Sequence, residues 1–90
     1  MKDVKMIKPG QLYRQKSKPN WRKNESDLFV VKRMFPNGAD IITGDNINLG
    51  VGYEWIEGDC ELVKEYSDID HAVRMMQFFE KGIVHLENER

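Results

Sequence analysis

Few side chains in this chain have the chemistry to make or break a bond. There is one cysteine, and there are two histidines. Cys60 stands among Glu57, Asp59 and Glu61, whose charge disfavours the thiolate that a nucleophile needs, so it reads as a buried structural thiol. His71 falls beside Asp70 on the opening turn of an expected helix, and His85 falls near the tail. Neither has a serine or cysteine beside it in a nucleophile motif. The three are too far apart along the chain to suggest a zinc site. The acids are numerous but spaced like a solvated surface rather than a tuned pair. The expectation is a non-enzymatic protein with no metal and no cofactor.

Two segments approach known ligand motifs. The glycine-rich stretch 44–52 lacks the Lys-Ser/Thr of a phosphate-binding loop, and Gly50-Val51-Gly52 is followed by Trp55 where a dinucleotide fingerprint needs a third glycine. Asp45, Asn46 and Asn48 do not begin an EF-hand loop, because its twelfth position is Ile56 rather than Glu. The stretch is expected to be a glycine-loosened connector. Segment 15–26 is the most polar of the chain, with Pro19-Asn20 as its turn signal. There Arg14, Lys16, Lys18, Arg22 and Lys23 surround a single aromatic, Trp21. Cations for phosphates and a flat ring for stacking are what a nucleic-acid site requires. Lys32 and Arg33 would extend it. That reading is the alternative one, because the acidic second half of the chain would repel a polyanion sharing its face.

Binding to another protein is the first reading, as a regulator or inhibitor. Aromatic residues and methionine are enriched at interface centres. Tyr53 and Trp55 share one side of an expected strand, and Met75 and Phe78 widen the apolar stripe of the expected helix beyond what one face must bury. The helix edge formed by Met75 and Phe78 leaves room for a homodimer. The partner is otherwise unidentified.

These candidates need elements to position them. The strongest local signal is 28–43, two β-rich runs flanking Pro36-Asn37-Gly38, which reads as a hairpin. A three-residue loop with Gly38 in the left-handed region would pair Phe35 with Ala39, Arg33 with Ile41 and Val31 with Thr43. Phe29, Val31, Phe35, Ala39 and Ile41 then face the core, with Arg33 as the only charge among them. Leu28, Val30, Lys32, Met34, Asp40 and Ile42 take the other side. Further strands are expected at about 11–14, 53–56 and 60–66, and 83–86 would add a short one. Ser67 as N-cap with Asp70 in the reciprocal position opens a helix over about 68–81, with Ile69, Val73, Met76 and Phe79 at helical spacing and Gly82 as the C′ residue. Residues 87–90 are a tail.

Ninety residues suit a single domain, here 1–90. One cysteine allows no internal disulfide, and no stretch resembles a signal peptide or a membrane span, so a soluble protein of the cytoplasm is expected. The net charge of -1 conceals an asymmetry, with +7 in residues 1–35 and -8 in residues 36–90. Each half offers a landing site for a charged partner if folding keeps them apart.

Gly10-Gln11-Leu12-Tyr13, the 28–43 hairpin and the run from Trp55 through Val63 resemble an SH3-like small barrel in strand spacing, over about half the chain. The style is also similar to small uncharacterised proteins of bacteriophages and prophages. The resemblance implies a mainly β (α+β) fold, a small SH3-like barrel of four to five antiparallel strands with a C-terminal α-helix. It also implies a binding role, with a host factor as partner and the host cytoplasm as location. The basic first loop departs from the acidic one of peptide-binding SH3 domains, so proline-rich ligands are not expected.

Overall fold

The computed structural model describes residues 7–16 and 27–82. The expected strand at 83–86, the tail 87–90, His85, and Lys18, Trp21, Arg22 and Lys23 lie outside the described residues. Five strands form one antiparallel sheet: β1 (Gln11–Gln15), β2 (Leu28–Phe35), β3 (Gly38–Thr43), β4 (Asn48–Gly52) and β5 (Cys60–Glu65). Helix α1 (Tyr53–Asp59) joins β4 to β5, and α2 (Ile69–Glu80) follows β5. The strand order is β4-β3-β2-β1-β5, so β4 and β5 are the two edges and the sheet is open.

Both faces of the sheet are covered at its centre. On one, Tyr13, Phe29, Val31, Ala39 and Ile41 pack with Ile56 of α1 and Cys60. Tyr13, Phe29 and Trp55 form a stack with centroids 5.5 and 5.3 Å apart, a geometry worth roughly 0.5–1.5 kcal/mol per pair beyond burial. On the other face, Leu12, Leu28, Val30 and Ile42 pack with Ala72 and Met76 of α2. The alternation of β2 serves both layers, which is why 28–31 is apolar at every position.

The hairpin differs in register from the three-residue loop. Phe35 pairs with Gly38, Met34 with Ala39 and Arg33 with Asp40, while Val31 pairs with Ile41 and Phe29 with Thr43. The turn is thus Pro36-Asn37, and the register shifts between Val31 and Arg33. Neither Asn37 nor Gly38 takes a positive φ. Because of this bulge, only part of the expected inward set faces the core. Phe29, Val31, Ala39 and Ile41 do face the first cluster, but beyond Lys32 the sides exchange. Met34 packs inward, and Arg33 and Phe35 are exposed. The charge that stood among core residues is simply outside.

Residues 53–56 are helical, not a strand: Gly52 is the N-cap, Glu54 occupies the first turn, and the helix turns Ile56 into the core. Apolar residues in so short a run fit either period, and packing decides. The stretch expected to be a connector contains β4, in which Leu49 and Val51 alternate inward. Asn46, at φ 66, supplies the left-handed residue that turns β3 into β4. At α2 the N-cap is Asp68 rather than Ser67, its carboxylate accepting from the His71 amide at 2.9 Å. Gly82 does close that helix at φ 76.

Gly38 is a glycine for close approach rather than for φ, since a Cβ there would stand 2.5 Å from the Val51 carbonyl oxygen. Replacing it by alanine must push β4 away. Gly38→Ala is expected to cost about 1–3 kcal/mol. Gly50→Ala, where the nearest atom would be 3.7 Å away, is expected to be neutral or stabilising by up to about 1 kcal/mol. Urea denaturation of the two variants checks this, and equal midpoints would contradict it.

Candidate binding edge

The residues singled out for protein binding do not form one patch. Tyr53 and Trp55 sit on α1 and pack against the Tyr13–Phe29 cluster, with the Tyr53 hydroxyl donating to the Phe35 carbonyl. Met75 and Phe78 sit on α2, which covers the opposite face of the sheet, and both are half-buried outside either cluster. Of the basic set, Arg14 lies across the β1–β5 ladder from Glu61 and reaches its carboxylate at 3.4 Å. Lys16 is exposed just past β1, its amide donating to the Asp59 carbonyl. The other four members of the set lie outside the described residues.

What the sequence did not disclose is the contrast between the two sheet edges. An edge strand offers unpaired amides and carbonyls to any other strand, and proteins ordinarily guard such edges with charge. β5 carries Glu61, Lys64 and Glu65. β4, reading Asn-Leu-Gly-Val-Gly, carries no charge and no proline.

The ladder shows which groups β4 offers. The Thr43 amide donates to the Ile47 carbonyl at 2.9 Å, which makes that pair a hydrogen-bonded one. Along an antiparallel ladder the hydrogen-bonded pairs recur every second residue. Leu49 and Val51 therefore bond to β3, and the amides of Asn48, Gly50 and Gly52 point away from the sheet. So do the carbonyls of Asn48 and Gly50, while that of Gly52 opens α1 as its N-cap. Among the described residues, nothing is bonded to these outward backbone groups.

Two of the three outward positions are glycines; Gly52 caps α1, whereas nothing in the described fold requires a glycine at Gly50. Gly50 and Gly52 take no positive φ. Among the described residues, a Cβ at Gly52 would meet nothing within 4 Å, and one at Gly50 would make only an ordinary contact with the Asp40 carboxylate. Glycine inside a strand costs roughly 0.5–1 kcal/mol relative to alanine. What the two glycines provide is a flat, bare edge on which another backbone can lie. The Lys32 ammonium, 2.9 Å from the Asn48 side-chain oxygen, reaches across β3 and steadies the start of β4.

Away from this edge, a hollow of about 380 Å³ opens beside Gln11, Glu65, Tyr66 and Lys8. Its polar floor is spoken for. The buried Gln11 side-chain oxygen accepts from the Lys8 amide at 2.8 Å and from the Tyr13 hydroxyl at 2.9 Å, and its amide group donates to Glu65 at 2.8 Å. The Tyr13 phenol is pushed up to about 12, by burial first and then by the charge of Glu65. Because its folded value lies above its ordinary 10.0, Tyr13 contributes stability fully below pH 10 that is lost as the pH rises through about 12. Denaturation midpoints measured from pH 9 to 12 should fall less for Tyr13→Phe than for the parent chain. Parallel curves would contradict the assignment.

No protein-family model, curated protein or solved structure matches this chain.

Proposed function

We propose that this chain is a non-enzymatic protein-binding module, a regulator or inhibitor that captures an extended segment of a partner on the open edge of β4. The observation that carries this reading is the row of bare outward amides centred on Gly50, a glycine that neither backbone conformation nor crowding among the described residues calls for. Main-chain bonds along an added strand supply affinity, and alternate side chains supply selectivity. The SH3-like likeness enters as a resemblance of strand spacing, with the sheet left open so that β4 is available. α2 then has the role of covering the second face of the sheet. The half-buried Met75 and Phe78 on that helix are a separate surface that this reading does not use.

Selection from a displayed library of linear peptides tests the proposal. Binders enriched by the parent chain are expected to lose about 10-fold or more in affinity for Gly50→Pro, which removes an outward amide without touching the β3 ladder. Gly50→Lys, which restores a guard charge, is expected to do the same. Both variants should keep the parent's circular dichroism. Selected peptides that bind the folded variants as tightly as the parent would place the interface elsewhere.

A further inference from the structure

The bulge and the glycines together shape what the edge would accept. Residues paired across a ladder share a face, so Arg33, Phe35, Gly38, Asp40, Gly50 and Gly52 lie on one side of the sheet. This is the side that α2 covers farther along, at Leu28, Val30 and Ile42. Toward the Pro36-Asn37 turn that cover stops. A hollow of about 240 Å³ remains there, walled by Phe35 and floored by the glycines and Asp40. The Phe35 side chain is a large apolar group left 41 % exposed.

Asp40 is the charged residue of the hollow, whose polar lining it shares with Asn37. It is half-buried and leans over Gly50, its carboxylate oxygen 3.7 Å from the position a Cβ of Gly50 would take. Its carboxylate accepts no hydrogen bond and makes no ion pair among the described residues. Arg33 faces it across the β2–β3 ladder but is exposed and does not reach it. Glu54, exposed, stands just after β4, while at the other end of the strand the Lys32 ammonium rests on Asn48.

Resting on the β4-edge reading above, we infer that the captured segment carries an arginine opposite Gly50. A residue paired with Gly50 shares its face, and Gly50 has no side chain to block the way to Asp40. Strands lie about 4.8 Å apart, so the Cα of that residue stands about 10 Å from the Asp40 Cα, within the joint reach of an arginine and an aspartate. The guanidinium fork suits a carboxylate, and its flat face suits the Phe35 ring. Asp40, with Glu54 beyond the Gly52 end of β4, favours a cation near Gly50 and disfavours an acid there.

The probe is a capped seven-residue peptide alternating threonine and valine around one central arginine. Its counterparts carry citrulline, which keeps the shape without the charge, or glutamate. Binding is followed by NMR through the amides of Asn48, Gly50 and Gly52. The arginine peptide is expected to shift these amides and to bind about 10-fold or more tightly than the citrulline peptide, and the glutamate peptide not at all. Asp40→Asn should erase the difference between arginine and citrulline. Equal affinity of those two for the parent chain, with the same amides shifting, would overturn the arginine assignment and leave the edge reading standing. No shift at these amides with any peptide would overturn both. Edge amides already shifted by concentration-dependent self-association, seen by sedimentation equilibrium without peptide, would give the edge to a second copy and overturn the inference.

Discussion

One extra residue in β2 decides what every neighbouring element meets. Up to Val31 the strand is buried on both faces, and its side chains divide strictly between the α1 layer and the α2 layer. At Lys32 the register with β3 shifts, and beyond it Met34 turns inward while Arg33 and Phe35 turn out. Without that shift Arg33 would sit among Phe29, Val31 and Ile41, where an unpaired charge is prohibitively costly. With it, one end of the sheet is left with an aromatic ring, a carboxylate and a row of glycines facing the same way. The core and the candidate site are thus two outcomes of a single bulge.

The two edges of the sheet divide the work. β5 is guarded by its charged residues and bonds back to β1. β4 is held by β3 at Leu49 and Val51, and its close seat depends on Gly38 having no side chain. Glycine in a strand is destabilising, and Gly50 relieves neither strain nor crowding among the described residues. A stability cost that the fold does not recover is expected where a surface serves something outside the fold.

Much of this was legible in the residues. β1, β2, β3, β5 and α2 follow from apolar periodicity and from turn and cap residues, because those signals are local. α1 was not legible: Tyr53, Glu54, Trp55 and Ile56 alternate like a strand, and only the stack on Phe29 and the burial of Ile56 select the helix. β4 was hidden by its own glycines, which read as a connector although Leu49 and Val51 keep the period of two. The bulge had one sign in the sequence, the charge of Arg33 on an otherwise apolar face. Which β4 amides point outward depends on ladder parity, a property of paired strands that no single segment carries.

Amide hydrogen exchange followed residue by residue distinguishes an open β4 that accepts a strand from one that is already covered. In the chain alone, Asn48, Gly50 and Gly52 should exchange rapidly while Leu49 and Val51 between them are protected by β3. Adding a strand-forming peptide should slow the first three and leave the other two unchanged. Protection of Gly50 and Gly52 in the chain alone, at a concentration where it is monomeric, would mean that the edge is already occupied and would contradict the account.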